Sequence, residues 1–447
     1  MRLLFVHQNF PGQYRHVLKS LIAENRHEIV FITEHANEGL AGVKKIIYKP
    51  HREPARETHH YVRSTESAVV RAQAVARVCI DLKRQGFVPD LMIGHNGWGE
   101  IFFLKDVFPQ TPLLGYFEFF YRAHGADVGF DPEYPSSSDT GPRVRMMNAG
   151  NMIGLEAADW GQTPTMWQRS RYPASYRDKL IVCHEGIDTE VVRPDADAHL
   201  RIADKQLILT RADQVITYVA RNLEPHRGFH VFMRALPELL RRQPKAHVVI
   251  VGGDDVSYGA RLPRGESYKK RLLAEVGNHV DMARVHFLGK VPYATFLKVL
   301  QVSSVHVYLT YPFVLSWSML EAMAAECLLL ASATPPVMEV IEHEVNGLLV
   351  DFFDREALLA GIDRSLTEAA ALWPLRDAAR KRVVERYDLN RICLPRHRAI
   401  IDALVAGKSP VSRSERASPA ARSNVTKAVI PGMENDDASR PLTIGQG

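Results

Sequence analysis

The stretch LTYPFVLSWSMLEAMAAE, Leu309 to Glu326, decides how the chain is read. It continues a strand-like run, VHVYLT (305–310), crosses a loop containing Pro312, and enters a helix that Ser318 is expected to open, with Glu321 in the first turn. A helix that begins just past the C-terminal edge of a buried strand directs a carboxylate and unpaired N–H groups at whatever lies beyond that edge. A polar ligand with an anionic group fits such a place. Ser318 and Glu321 also match S-x-x-E, the capping box, in which two side chains satisfy each other's backbone donors.

On either side, short runs rich in Val, Ile and Leu alternate with helical segments. RLLFVH (2–7), EIVFIT (28–33), KIIY (45–48), LMIG (91–94), LLGYF (113–117) and LIVCHEG (180–186) form one series. QVITYVAR (214–221), AHVVIVGG (246–253), VHFLGK (285–290), VHVYLT and CLLLASAT (327–334) form a second. Continuous apolar runs separated by helices are the pattern of parallel strands buried on both faces, so the fold class is α/β with two Rossmann-like, doubly wound domains. The series change between Ile187 and Asp213, giving a first domain over 1–195 and a second over 196–373. Amphipathic helices are expected over 374–387 and 390–405, and the aperiodic tail over 407–447 is expected to be disordered. The Gly-, Asp-, Pro- and Ser-rich stretch from Tyr121 to Asn148 is long for a compact domain and reads as either a lid or local disorder.

With 447 residues, 46% of them hydrophobic and 24% charged, the chain exceeds one ordinary core and has a globular composition. Its net charge of +5 is mixed along the length, and no helix-turn-helix, RNP-like or zinc-finger pattern is present, so nucleic acid is not an expected partner. No apolar run approaches the roughly 18–20 residues that span a bilayer. MRLLFVHQNFPG reads as a first strand rather than a signal peptide, which makes the cytoplasm the expected compartment. Cys79, Cys183, Cys327 and Cys393 lack metal-ligand spacing, and Asp254 and Asp255 have no third ligand at a recognisable distance along the chain, so no metal is expected.

VARNLEPHRG (219–228), VIVGGDD (249–255), the loop at Phe313 and LEAMA (320–324) fall in one order, and together they resemble the family 4 retaining glycosyltransferases of GT-B fold over residues 1–405. The resemblance implies two domains facing a cleft, with the helices of 374–406 crossing back to the first. It implies that Arg221 and Arg227 grip the diphosphate of a UDP- or GDP-sugar donor, and that Glu321 holds its ribose. Gly12, Gly252 and Gly253 would approach the donor, as would the backbone at Leu315 and Ser316. Phe313 stands where the family carries a Glu that contacts the donor sugar. Glu118 is a candidate catalytic or sugar-binding carboxylate, because a charge at the end of a buried strand needs a partner or a ligand. His95, Asn96, Glu185 and Phe313 are further candidates for sugar or acceptor contacts, and Trp98 offers a stacking surface.

The implied activity is retaining hexosyl transfer from a nucleotide-diphosphate sugar, a substrate rather than a cofactor, to a hydroxyl of a glycan or lipid-linked glycan. Such enzymes build surface polysaccharides and glycoconjugates, implying a peripheral membrane contact at the inner face of the membrane. A basic segment over 57–86, with Arg63, Arg71, Arg77, Lys83 and Arg84, is the candidate surface. Two alternatives remain: a nucleotide-sugar-binding protein that has lost transfer, made credible by Phe313, and a sugar-nucleotide epimerase or hydrolase of the same fold.

Overall fold

Leu3, Leu4, Phe5 and Val6 are fully buried, because helices cover both faces of the strand they form. The computed structural model describes residues 1–35 and 38–411, so most of the expected tail lies outside the described residues. Seven parallel strands make the first sheet: β1 (Arg2–Val6), β2 (Glu28–Thr33), β3 (Lys44–Ile47), β4 (Leu91–His95), β5 (Leu113–Tyr116), β6 (Trp160–Thr163) and β7 (Leu180–Val182). They lie in the order β3-β2-β1-β4-β5-β6-β7. An antiparallel hairpin, β8 (His199–Ile202) and β9 (Leu207–Thr210), precedes the second sheet. That sheet contains β10 (Val215–Asn222), β11 (His247–Gly253), β12 (Val285–Gly289), β13 (Val305–Tyr308), β14 (Leu329–Ser332) and β15 (Leu348–Val350), in the order β12-β11-β10-β13-β14-β15.

Six helices belong to the first half: α1 (Arg15–Ala23), α2 (Arg63–Arg84), α3 (Leu104–Val107), α4 (Thr140–Ala157), α5 (Met166–Arg171) and α6 (Ala174–Arg177). The second half adds α7 (Phe229–Arg242), α8 (Tyr268–Val276), α9 (Tyr293–Gln301), α10 (Trp317–Ala324), α11 (Pro335–Met338) and α12 (Arg355–Thr367). The last two are α13 (Trp373–Arg386), which packs on α10, and α14 (Leu394–Val405), which lies against α1. There His397 Nε2 donates to the His184 carbonyl at 3.1 Å, and Arg398 pairs with Glu24 at 2.6 Å. In both sheets the strand order reverses beside the first strand. The two crevices therefore open between β1 and β4 and between β10 and β13, where ligands settle in doubly wound folds.

Several expectations need correction. The hairpin falls inside the stretch 187–213 that reads as a connection, and its Leu200, Ile202 and Leu209 are buried against Val215, Val249 and Val299 of the second core. Each of its strands is only four residues long, and the exposed face of β9 carries the apolar Ile208, which hides the alternation. The strands at β6 and β15 are short, and the first is polar, so neither stands out in the sequence. Helix α10 is capped by Ser316, not Ser318, and Glu321 lies beyond its first turn.

Residues 121–139 form a strap docked on the second half, and α4 begins at Thr140. Asp131, only 3% exposed, accepts from the Tyr311 hydroxyl at 2.6 Å and pairs with His230 Nε2 at 2.8 Å. Phe130 stacks among Tyr311, Phe352 and Phe353, and Glu133 takes two bonds from Arg234, at 2.5 and 2.9 Å. On the basic segment, Arg71 is tied to Glu34 at 2.9 Å and Lys83 to the Val107 carbonyl at 2.7 Å, leaving Arg63, Arg77 and Arg84 as its outward cations.

Candidate functional site

Arg221 ends the central strand of the second sheet with an exposed side chain that makes no ion pair among the described residues. It lines two cavities at once. The smaller, about 480 Å³, lies between Val251, Gly252, Lys290, Val291, Tyr293 and Phe296. The larger, about 1000 Å³, is walled from the first half by His7, Asn9, Gly12, Gln13, Trp98 and Glu118. Its opposite wall is Arg221, Asn222, the loop residues 254–258 and 261–266, Lys290 and Trp317. That space sits at the upper end of the roughly 300–1000 Å³ typical of ligand pockets.

The acids of that loop are already matched: Asp254 by Lys269 at 3.7 Å, Asp255 by Lys290 at 3.3 Å and Glu266 by Arg271 at 3.3 Å. Arg221, Arg261 and Arg264 are left as cationic wall, which suits an anionic ligand. The loop itself is fixed by Glu224, a buried carboxylate that accepts from the N–H groups of Ser257, Tyr258 and Gly259 at 2.9–3.0 Å.

Arg227 closes a 3-10 turn, Pro225–Arg227, and is buried. Its Nη1 donates to Thr310 Oγ1 at 2.9 Å, the Val314 carbonyl at 3.1 Å and the Tyr308 hydroxyl at 3.3 Å, and its guanidinium lies 5.4 Å from the Tyr258 ring centre. It therefore braces the loop after β13 from behind. Gly228 follows with φ +67°, and a Cβ there would stand 2.3 Å from Leu309 Cβ, so the turn requires glycine.

Glu321 is not part of a capping box. The Ser318 N–H goes to Ser316 Oγ at 3.3 Å, while the Glu321 carboxylate accepts from the Tyr293 hydroxyl at 2.8 Å. Burial raises its pKa. Since Tyr293 lines the smaller cavity, Glu321 stands at its edge, free of any duty to the helix end. The expected backbone contact does not hold at Ser316, whose N–H is taken by the Tyr308 hydroxyl at 3.0 Å; the Leu315 side chain points into the core. Gly252 lines the smaller cavity, while Gly253 makes room for Lys290 and Asn222, which a Cβ would meet at 2.4 and 2.5 Å.

Phe313 lines neither cavity. Only 5% exposed, it packs on Phe119 at 4.5 Å and Tyr258 at 4.8 Å in an apolar cluster that joins the two halves. The expectation that it contacts sugar is corrected accordingly: an interdomain aromatic stands where the resemblance places a carboxylate.

In the first crevice, His7 Nδ1 accepts the Asn9 N–H at 2.8 Å, so the proton is on Nε2, 2.6 Å from Gln13 Oε1. His95 is fully buried, its Nδ1 accepts from the Gly97 N–H at 2.9 Å, and its Nε2 has no hydrogen-bond partner, standing 3.8 Å from the Glu118 carboxylate. Burial lowers both imidazole pKa values, that of His7 to about 4, so both rings are neutral at pH 7, and the buried His95 Nε2–H stands behind Glu118. Gly12 (φ +53°) lies against the His7 ring, where a Cβ would come within 2.7 Å.

Glu118 keeps 37% side-chain exposure through the cavities it lines. Its pKa is pushed up to about 7 by burial and by Glu185, against the pull of Arg221 and Arg227. Glu185 is buried, accepts from the Tyr116 hydroxyl, and takes the Trp317 indole N–H at 3.0 Å, which ties the first half to the start of α10. Asn96 is structural: its amide donates to Asn151 Oδ1 at 3.0 Å. Sequence reasoning missed His7, Lys290, Tyr293, Arg261 and Arg264; only the positions of His7 and Lys290, just past strands β1 and β12, carried a signal.

Two doubly wound domains facing one another across such a cleft define the GT-B class. The model for the glycosyl transferase family 4 group matches residues 25–192, and that for glycosyl transferases group 1 matches residues 202–383. The chain belongs to the family 4 glycosyltransferases of GT-B fold. It is 27% identical over 216 residues, 48% of this chain and 52% of the relative, to an uncharacterised glycosyltransferase of Methanocaldococcus jannaschii. Over 89 residues, 20% of this chain and 22% of the relative, it is 33% identical to the GDP-mannose-dependent α-(1-6)-phosphatidylinositol monomannoside mannosyltransferase of Mycolicibacterium smegmatis. These matches thus span about half, or less, of the curated relatives' length. Among solved structures, the sucrose-phosphate synthase of Thermosynechococcus elongatus superposes with a TM-score of 0.67 at 18% identity, covering 91% of this chain and 100% of that one. Anabaena HepE with UDP and glucose gives 0.60 at 14% identity, covering 90% and 100%. Among the described residues no helix is long and apolar enough to cross a membrane.

Proposed function

We propose that the protein transfers a sugar, with retention of configuration and without a metal, from a nucleoside diphosphate sugar to a hydroxyl acceptor. The observation that carries this reading is the position of Arg221, an unpaired cation at the junction of the smaller and larger cavities. The base would lie in the smaller cavity between Val251 and Phe296, with the ribose diol on Glu321, since a carboxylate can accept two hydrogen bonds. The diphosphate would then meet Arg221, with the buried charge of Arg227 behind it, and the sugar would project toward Glu118.

In the reaction the bond between the anomeric carbon and the diphosphate oxygen breaks, the acceptor oxygen bonds to that carbon on the same face, and the hydroxyl proton leaves on the nucleoside diphosphate. The two arginines stabilise the charge that grows on the leaving group. Ionised Glu118 supports positive charge in the sugar ring, with the buried His95 Nε2–H standing 3.8 Å behind its carboxylate. UDP and GDP are the donors to try first, because HepE holds UDP and the mycobacterial relative uses GDP-mannose. A glycan or lipid-linked glycan acceptor, and a membrane contact through Arg63, Arg77 and Arg84, extend the same reading.

Thermal unfolding with UDP, GDP and ADP tests it. A nucleotide at about 100 times its dissociation constant adds roughly 2.7 kcal/mol. One nucleotide should stabilise the wild type, and Arg221→Ala should lose that response and at least tenfold in turnover. A full response in the variant, or none in the wild type, refutes the site. Phe313 favours a second reading, a nucleotide-sugar binder without transfer. A stabilising donor left chemically unchanged with every acceptor tried would support that reading.

A further inference from the structure

We infer that the terminal sugar of the acceptor binds in a separate pocket of the first half, between α2 and α4, and reaches the reaction centre from behind Glu118 rather than through the open cleft. This rests on the transferase reading above. A cavity of about 100 Å³ lies there, with Ser64, Thr65, Asn96, Glu118, Tyr121 and Asn151 in its wall. Glu118 alone lines both this cavity and the large one, so the two spaces lie on either side of this one residue. A group in each would face the other across one side chain.

The chemistry of the wall selects the ligand. Among the described residues the hydroxyls of Ser64, Thr65 and Tyr121 make no hydrogen bond, and neither does the Glu118 carboxylate. Those are three unspent donors and a strong acceptor. Phe102, Phe119 and Tyr121 add aromatic surface, and no Lys or Arg lines the space, in contrast to the cationic wall of the large cavity. Hydroxyl-rich, uncharged and partly apolar describes a pyranoside, and not a phosphate or a uronate.

Small residues let the walls of the pocket pack closely against one another. Gly99 has φ +93°, and a Cβ on it would come within 2.5 Å of Ala68 Cβ; a Cβ on Gly150 would stand 3.2 Å from the Phe102 ring. Its shape is fixed by Asn151, whose Nδ2 donates to the Phe119 carbonyl at 3.0 Å, and by Asn148, which bonds the backbone N–H and carbonyl of Tyr121 at 3.0 and 2.8 Å. The space takes the edge of one sugar ring and is far too small for a chain. In the transfer step the hydroxyl at its inner end, held beside Glu118, donates to a diphosphate oxygen; its oxygen bonds to the anomeric carbon as the bond from that carbon to the diphosphate breaks, and its proton departs on the nucleoside diphosphate.

Saturation-transfer NMR of the methyl glycosides of glucose, galactose and mannose, recorded with UDP or GDP bound, reads the pocket directly. At least one glycoside should give a signal with the wild type. Thr65→Trp, which fills the space from the first turn of α2, should cut it at least fivefold while leaving the nucleotide's thermal shift intact. Thr65→Val keeps the volume, removes one hydroxyl and should weaken the signal at least twofold. No glycoside signal with the nucleotide-bound wild type, or an undiminished signal in either folded variant, overturns the pocket assignment. Absence of any nucleotide shift in the wild type would instead overturn the transferase reading on which it rests.

Discussion

Phe313→Glu restores the carboxylate that the family resemblance places at this position, and the structure gives it nowhere to be ionised. The Phe313 ring is buried between Phe119 of the first half and Tyr258 of the second. Removing a core phenylalanine costs about 3–5 kcal/mol. Its two ring contacts, tilted at 62° and 57°, each contribute roughly 0.5–1.5 kcal/mol beyond area burial, a share already inside that total. Phe313→Ala should therefore lower stability by about 3 kcal/mol or more. Phe313→Glu should lose at least as much at pH 7, because a carboxylate must also be desolvated against apolar neighbours. Its folded pKa would be raised, so the loss should deepen as pH rises through that value and ease in acid. Urea titrations of wild type and both variants at pH 5.5 and 7.5 measure this, and Phe119→Ala, alone and combined with Phe313→Ala, gives the pairwise share across the interface. A Phe313→Glu protein that unfolds at the wild-type midpoint and turns over faster would show that the loop after β13 faces the donor sugar and that the aromatic cluster is dispensable.

Glu118→Gln should abolish the limb of the rate profile that rises as pH passes about 7, where the wild-type carboxyl ionises, with little change in nucleotide affinity. The same raised pKa makes the folded state bind more protons than the unfolded one between 4.5 and about 7; this contribution to stability falls as pH rises across that window, and Glu118→Gln should remove the slope. Glu321→Ala should weaken UDP or GDP binding by about 10- to 150-fold, in line with roughly 1.5–3 kcal/mol for a hydrogen bond to a charged group, and erase discrimination against the 2′-deoxy nucleotide; retained discrimination in a calorimetric titration refutes the ribose assignment. Asp131→Ala should cost about 3–5 kcal/mol by leaving His230 and Tyr311 unpaired, and should expose residues 121–139 to limited proteolysis. Burial opposes the Asp131 charge, but the hydrogen bonds from His230 and Tyr311 hold its pKa below 3.8, so the stability it supplies is present above that value and lost as pH falls through the folded one.

The two parallel sheets were legible because fully buried strands, such as VVIVGG within β11, leave no polar face to confuse the pattern. The hairpin of β8 and β9 was not, since each strand is only four residues long and the exposed face of β9 carries the apolar Ile208, which hides the alternation. At the site, Arg221 and Glu321 could be picked out because each ends or follows a buried strand at the crevice of the second sheet. The capping role of Ser316 was obscured by a competing Ser318 two residues on, and only hydrogen-bond geometry tells them apart. Lys290, Tyr293, Arg261 and Arg264 come from segments far apart in sequence, and their convergence on two cavities is a property of the packed chain. The strap was the least legible element. Its Gly, Asp and Pro content describes an irregular backbone and says nothing about Asp131, whose partners lie 99 and 180 positions away.

That strap constrains how the cleft can work. It leaves the first half directly after Glu118 and Phe119, and it docks Phe130 and Asp131 beside Tyr311 and His230, close to the turn that carries Arg227. Elsewhere the halves meet through the Phe313–Phe119 cluster, through the Trp317 indole on Glu185 and through Glu339, which accepts from the Met166 and Trp167 N–H groups at 2.8 and 2.6 Å. The polar bonds among these are individually worth about 1–3 kcal/mol, whereas the dock combines the buried hydrogen bonds of Asp131 with a box of aromatic rings. The polar contacts are thus the weaker set and the first to part when the cleft opens. The nine residues from Tyr121 to Gly129 could span at most about 30 Å if fully extended, so the dock can persist through an opening of modest size. The two ends of the site that handle opposite charges, Glu118 on the sugar side and Arg227 on the phosphate side, then remain on one tether while the walls around them move.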